Sequence, residues 1–428
     1  MDLIILLVII AVFAGGILFF KLPAGVALAA AALAGAIAAG EFFPVRHFVE
    51  GTFGFLDPVM IIAAAMIFMK TVEATGALGT LSYNMMKYLH GYPTILMILI
   101  TLFIMFPGML TGLSSTCILT TGALVVPGLI AMGMPRPAVG ALLAIASVLG
   151  MIAPPINIPV MIIGGGVDMP YIGFELPLLI ATMPAALFTA LYFRFRYLKT
   201  FDITEVLAQM PHPVHDRHGY KLYIPLVFVV GAMILLRVFP EYIPDVGIPF
   251  IFIIGALLGF GTGEKFNFLV VSQKAIRESA GIIAILIGVG MLVQIMTLTG
   301  VRGSIAVNAL NVPVEYIYIV IILLMPAFGS AYAAASILGV PLVFVFLGHN
   351  EIIITAALSL LAGIGDMMPP PSFLCVFASK MTGVDNHYQI LGKSVIPILF
   401  IMLSGVLMML FSSEINSLIQ AIPFGRPY

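Results

Sequence analysis

Tryptophan is absent from this chain of 428 residues, cysteine occurs twice, and Asp, Glu, Lys and Arg together make up only 9%. A water-soluble domain carries about 25% charged residues, so this scarcity excludes an ordinary soluble globular protein. The two cysteines, Cys117 and Cys375, sit in apolar stretches without metal-ligand spacing and read as small buried hydrophobes. No basic tract exists, and a net charge of −1 offers nothing to nucleic acid. No G-x-x-x-x-G-K-[ST] motif is present, so the chain is not expected to hydrolyse ATP. No catalytic triad or zinc signature can be assembled, and an enzyme is not expected. Period-two alternation is missing too, which argues against a membrane β-barrel.

What the chain does have is apolar sequence, 62% hydrophobic with a mean hydropathy of +1.19. Its apolar runs recur from end to end at about 17–25 residues, the length an α-helix needs to cross a bilayer. The chain therefore reads as an all-α polytopic membrane protein. Its first run follows Asp2 rather than a basic segment and is followed by Lys21, so it is expected to be a retained helix and not a cleaved signal.

Internal similarity organises the rest. Thr71–Leu81 matches Ile295–Ile305 with Gly76 over Gly300, an offset of 224 (300 − 76). Gly35–Glu41 matches Gly259–Glu264 with Gly40 over Gly263, an offset of 223 (263 − 40). Met151–Ile156 matches Asp366–Ser372 with Pro154 over Pro370, an offset of 216 (370 − 154). Gly166–Tyr171 matches Gly383–Tyr388, an offset of 217 (383 − 166). Four anchors in one order at nearly constant offset predict two repeats, 1–198 and 222–428, joined by the polar linker 199–221.

In the first repeat, spans are expected at 3–20, 23–40, 56–75, 138–166 and 174–197; in the second, at 223–239, 247–263, 279–300, 352–379 and 388–411. Residues 92–134 are apolar but interrupted at Pro107–Ser115, with arms at 93–106 and 116–133 that are short for spanning. A re-entrant hairpin fits them. Its counterpart covers 313–347, with the tip at Met325–Tyr332. Leu81–Pro93 and Ser304–Pro313 read as interfacial arms leading into the hairpins.

Five crossings per repeat is odd, so the repeats should be inverted. With the linker cytoplasmic, the inside residues are Lys21, Lys70, Lys87, Arg136, Arg194, Arg196, Lys199, Arg217, Lys221, Lys265, Lys274, Arg277, Lys380 and Lys393. Only Arg46, Arg237, Arg302 and Arg426 fall outside, 14 against 4 of the 18. The positive-inside rule then supports ten spans, two hairpins and both termini outside. Lys70 and Glu73, one turn apart at a span end, read as a snorkelling interfacial pair. His212, His215 and His218 share a spacing of three but read as solvated linker.

Inverted repeats with interrupted helices are how many secondary carriers build a midplane site. Breaks leave amides and carbonyls unpaired, and these are tolerated only beside protein, water or ligand. Carbonyls there suit Na⁺, and exposed amides suit carboxylates. The first tip supplies Thr111, Gly112, Ser114, Ser115 and Thr116, and the first break Gly150, Pro154, Pro155 and Asn157. The second tip supplies Gly329, Ser330 and Tyr332. The second break (352–379) supplies Gly363, Gly365, Asp366, Pro369, Pro370, Pro371 and Ser372. Asp366 stands out, because a carboxylate at membrane depth is costly. It reads either as a cation or proton site, or as the cap of a following segment.

The sequence from the first tip through residue 162, with GTFGFLDPVMIIAAAMIFM upstream, resembles the large membrane subunit of tripartite ATP-independent periplasmic (TRAP) transporters, within the ion-transporter superfamily. The resemblance is strongest at 105–175 and 326–390. It implies a Na⁺-driven, elevator-type importer of small organic acids in a bacterial or archaeal cytoplasmic (inner) membrane. It also implies two partners, a small four-helix membrane subunit and a secreted or periplasmic solute-binding protein.

Carried over, the resemblance places one Na⁺ among Ser114, Ser115, Thr116, Gly150, Pro154 and Asn157. A second falls among Gly329, Ser330, Gly363 and Asp366. Substrate falls near Thr111, Gly112, Asn157, Ser330, Pro370 and Ser372. The chain departs from the family at Leu113, inside the tip, and at Ile156-Asn157, where Ser usually follows the proline pair. A stand-alone ion-coupled carboxylate or anion carrier of the same superfamily is the alternative. A channel or scaffold is a further one, but paired hairpins suit occlusion better than a continuous pore.

Overall fold

The computed structural model describes the chain except Met1, Thr200, 211–212, 215–217, 240–243, Asp245, Val312, Leu347 and 422–428. His212, His215, Arg217 and Arg426 lie outside the described residues. The described residues are helical and contain no β-strand. Among the described residues six helices, including Pro93–Thr111 and Ser114–Ala131, are long and apolar enough to cross a membrane, or seven if the pair Val45–Phe53 and Leu56–Ala74, bent by 41°, is one span, against the ten spans expected. The helices at 3–20, 23–40 and 247–263 are shorter, at Asp2–Leu18, Ala24–Ala38 and Ile248–Leu258.

The helices sort into two groups by what they pack against. In one, Phe268–Leu298 packs along Ala24–Ala38, Val45–Phe53 and Leu56–Ala74, and Asp2–Leu18 and Ile248–Leu258 join at its edges. Glycines bring these backbones together: a Cβ on Gly25 would strike the Ala284 carbonyl, and one on Gly51 the Gly290 carbonyl. Close small-residue contact of this kind maximises van der Waals packing where lipid offers no hydrophobic drive. The second group holds both hairpins, both broken helices, Glu175–Tyr197 and Tyr388–Leu410, packed around Arg136–Ile152. Nearly every residue of Arg136–Ile152 is buried, so it is the axis of that group.

The long helix Phe268–Leu298 starts eleven residues before the expected span at 279. The Asn267 side chain caps it, accepting from the amides of Leu269 and Val270. Capping satisfies first-turn donors, so the polar residues 273–278 belong to the helix although they interrupt its apolar run.

Lys70 corrects an expectation. Only 6% of its side chain is exposed, and Nζ reaches Glu73 at 2.9 Å and Glu278 at 2.8 Å. It is therefore a buried cation clamping Leu56–Ala74 to the long helix, not a snorkelling surface pair. The sequence pairs Lys70 with Glu73 by spacing, but only folding brings in Glu278.

The linker is docked. Asp202 caps the short helix Ile203–Ala208 by accepting from the Thr204 amide. Val206 and Met210 are buried, and that helix packs on Ala77–Leu89 and Ala123–Ala131. The Thr80 hydroxyl accepts from the Val214 amide at 3.0 Å, and His218 Nε2 lies 3.4 Å from Glu264. The two expected interfacial arms are helices at Ala77–Leu89 and Val301–Leu310. The glycine before each, Gly76 and Gly300, has φ of +80° and +74°, a left-handed turn that costs glycine little.

Candidate functional site

The first interruption is a hairpin tip. Pro93–Thr111 is a continuous helix with Pro107 inside it, so the arm is longer than the 93–106 expected. The turn comes from Gly112 at φ +67°, where the chain leaves the helix. Ser114–Cys117 restarts it, followed by a π-turn at Ile118–Gly122 and Ala123–Ala131. The return path is fixed by two side chains. The Cys117 thiol reaches the Met105 carbonyl at 3.6 Å, and the Thr121 hydroxyl donates to the Ile104 carbonyl at 3.3 Å. Both pairs straddle Gly112, so the second arm runs back along the first.

The second interruption repeats the pattern. Val314–Ala327 ends before Gly329 at φ +63°, and Ala331–Ala334 begins the return arm. A π-turn at Ala335–Gly339 and the helix Val340–Val345 complete it. Helix breaks accompany each tip. Arg136–Ile152 and Ile158–Gly166 flank 153–157, and Glu351–Ile364 and Phe373–Thr382 flank 365–372.

Asp366 joins these parts. Its Oδ2 accepts from the Ser114 hydroxyl at 2.9 Å, and its Oδ1 accepts from the Ala331 amide at 2.9 Å. One carboxylate of the second break thus ties the first tip to the start of the second return arm. Only 5% of Asp366 is exposed, and a buried carboxylate persists only when hydrogen-bonded or paired. The Ala331 amide also stands at a helix N-terminus, where negative charge is favoured.

Around Asp366 opens a cavity of about 610 Å³. Ser114, Ser115, Gly329, Ser330, Asp366 and Pro370 line it, so the structure gathers these six expected site residues. Asp2–Leu18 and the long helix contribute further lining residues, among them Phe13, Ile17, Ile282 and Ile285. Oxygen donors from hydroxyls and a carboxylate are the hard ligands that alkali and alkaline-earth cations prefer. A Cβ on Gly329 would strike the Pro370 carbonyl oxygen, so tip and break touch backbone to backbone.

Other expected site residues do not reach the cavity. Asn157, fully buried, spends its side chain on structure. Its Oδ1 accepts from the Val160 amide at 2.9 Å, capping the second half-helix, while Nδ2 donates to the Ile152 carbonyl at 2.9 Å and the Ser359 hydroxyl at 3.0 Å. Thr111 donates to the Pro107 carbonyl at 2.7 Å and accepts from the Leu113 amide at 3.3 Å. The Gly112 carbonyl accepts from the Tyr332 hydroxyl at 3.3 Å, linking the two tips.

Thr116 donates to the Met66 sulfur at 3.7 Å. Gly150 lies in helix-helix contact, where a Cβ would meet the Met105 carbonyl oxygen at 2.5 Å. Pro154 and Gly363 are buried outside the cavity lining. Ser372 is fully buried at φ +54° and its hydroxyl has no hydrogen-bond partner. Glu278 is the cavity residue that sequence reading missed. The signal was available as a glutamate bordering an apolar helix, but no motif sets it apart from an interfacial charge.

Paired hairpins, paired helix breaks and a cavity between them make this a polytopic helical membrane protein with an internal cavity. None of the curated proteins matches the chain. A solved transporter, YdaH from Alcanivorax borkumensis, described as having an unusual topology, shares the fold at a TM-score of 0.60 and 17% identity, over 89% of each chain. The profile of the tripartite ATP-independent periplasmic transporter DctM component matches residues 106–415. The chain belongs to that family: it is the large membrane subunit of a TRAP transporter.

Proposed function

We propose that this chain is the transmembrane subunit of a Na⁺-coupled secondary transporter that imports a small organic acid. In this reading it works with a small four-helix membrane subunit and a periplasmic or extracellular binding protein that delivers the solute. It carries out no chemical conversion and uses no ATP. The observation that carries the proposal is the Asp366 carboxylate, held between Ser114 and Ala331 on the floor of a cavity. A fixed negative charge among hydroxyls at a meeting of four broken elements suits a cation bound beside a substrate.

One Na⁺ is assigned to the Ser114 and Ser115 hydroxyls; Thr116, Gly150 and Pro154 stand outside the cavity lining and do not join them. The other is assigned to Gly329, Ser330 and Asp366, without Gly363, which lies outside the lining. Substrate contacts fall to Ser330 and Pro370 and the amides of the two tips. Asn157 positions the first break instead of touching the ligand.

The group of helices holding both hairpins is the moving body of an elevator, and the group around Phe268–Leu298 is its scaffold. The two repeats, 1–198 and 222–428, are inverted about the linker. In this reading each repeat crosses the membrane five times, and both termini lie outside an inner (cytoplasmic) membrane. The matching Gly112 and Gly329 turns and the matching π-turns support the repeat, and the excess of Lys and Arg on the linker side supports the orientation.

Reconstitution into liposomes tests the proposal. Uptake is expected only with an inward Na⁺ gradient, with the binding protein present and without ATP, and Ser115→Ala and Asp366→Ala should shift its Na⁺ dependence. Uptake without a binding protein would favour a stand-alone carrier. Normal Na⁺ dependence in both variants would overturn the site.

A further inference from the structure

Apart from Glu278, the polar side chains lining the cavity all come from the two tips and the second break, and we infer that its ligand is an acid with a single carboxylate and an apolar body, from which Glu278 excludes a second carboxylate. The inference rests on the carrier reading above and names the substrate class of that site.

The hydrogen-bonding side chains Ser114, Ser115, Ser330, Tyr332 and Asp366 come from the tips and the second break. The remaining lining is, apart from Glu278, aliphatic and aromatic, with Phe13, Ile282 and Ile285 in it and Leu324 and Phe328 at the tip side. Among the described lining residues there is no Lys, Arg, Asn or Gln. A ligand with two carboxylates, or a polyhydroxylated one, needs donors at both ends, because buried polar groups without partners are costly. Here Ser114 already donates to Asp366 and Tyr332 to the Gly112 carbonyl, so the Ser115 and Ser330 hydroxyls are left to meet one carboxylate, and the co-transported Na⁺ of the carrier reading supplies positive charge beside them. The rest of the ligand meets hydrocarbon.

Among the described lining residues outside the tips and the second break, Glu278 is the one charged group. Lys70, which holds it at 2.8 Å, also holds Glu73 at 2.9 Å and is not part of the lining. One cation shared by two carboxylates leaves a net negative charge. A second carboxylate on the ligand would be driven against that charge, and like-charge juxtaposition discriminates strongly between partners.

The absence of tryptophan from the chain supplies the assay. Phe13→Trp places a single indole in the cavity wall, and Leu324→Trp places one at a second lining position. Phe19→Trp, at a position 83% exposed, reports partitioning of the acid into the surrounding lipid or detergent. Each purified variant is titrated with butanoate, hexanoate, octanoate and octanedioate in Na⁺ and in K⁺.

The expected result is Na⁺-dependent binding at both cavity reporters and not at residue 19. Affinity should rise about fourfold per added methylene, the equivalent of ~0.8 kcal/mol per buried CH₂. Octanoate should bind about tenfold or more tighter than octanedioate, and Glu278→Gln should narrow that ratio. Na⁺-dependent binding that is flat with chain length, or equal for octanedioate, overturns this inference and leaves the carrier reading standing. No Na⁺-dependent binding of any acid overturns both.

Discussion

The Ser114 hydroxyl and the Asp366 carboxylate, 252 residues apart, meet at 2.9 Å. This bond couples the first hairpin tip to the second helix break. A hydrogen bond to a charged group is worth about 1.5–3 kcal/mol, so Ser114→Ala is expected to weaken Na⁺ affinity about tenfold or more. Asp366→Asn should weaken it further, and the double variant should be no worse than Asp366→Asn alone. Na⁺ titration of transport across the four proteins measures this; strictly additive losses would show that the two residues act separately.

Gly329 should tolerate no side chain. Its φ of +63° and its contact with the Pro370 carbonyl oxygen both require glycine. Gly329→Ala is expected to push the second tip off the break and abolish transport, with a lowered melting temperature. Gly261→Ala is the control, because a Cβ there meets nothing within 4 Å. Equal melting temperatures for the two variants would contradict the close tip-to-break contact.

Removing Lys70 should be severe. Lys70→Met leaves Glu73 and Glu278 without their shared cation; breaking a fully buried ion pair costs about 3–5 kcal/mol, and the partial exposure of the two carboxylates, 35% and 34%, lowers that cost here. Thermal unfolding of the purified protein should fall sharply. Adding Glu278→Gln to Lys70→Met should restore part of the loss, since fewer orphaned charges then remain. A loss equal to that of a surface lysine would argue that the ion pairs at 2.8 and 2.9 Å contribute little.

Asn157 is expected to act on stability more than on ligand affinity. Asn157→Ala removes a helix cap worth about 1 kcal/mol, along with the bond to Ser359 that holds the first break against the helix Glu351–Ile364. Ser359→Ala should cost less, since the cap to Val160 survives. Melting curves and Na⁺ titrations on both variants separate the effects; a large change in Na⁺ affinity with an unchanged melting temperature would make Asn157 a ligand instead.

Membrane class, the helices and the positions of both tips and both breaks were legible in the sequence, because hydrocarbon leaves so few options. Charge scarcity and runs of spanning length leave a helical chain little alternative in a bilayer, and Pro and Gly inside such runs mark where helices stop. Even there the detail shifted. Pro107 stays within its helix, and the turn waits for Gly112, because one missing amide is tolerated but a left-handed φ needs glycine.

Which polar residues face one another was not legible. Asn157 and Ser114 look equivalent in sequence, as small polar residues beside a break. The fold turns one inward to cap a helix and aims the other at Asp366. Lys70 looks interfacial until Glu278 closes on it from another helix.

By itself, then, the sequence determined a membrane-embedded helical chain interrupted at four places. Local backbone chemistry, meaning glycine turns, proline and spans of apolar residues, acts within a few residues and needs no partner. Only the tertiary structure decided that Ser114, Ser330 and Asp366 share a cavity, and that Glu278 lines the same cavity. Side-chain pairings across 252 residues depend on how helices pack, and helix packing in lipid is governed by shape complementarity that no local pattern encodes.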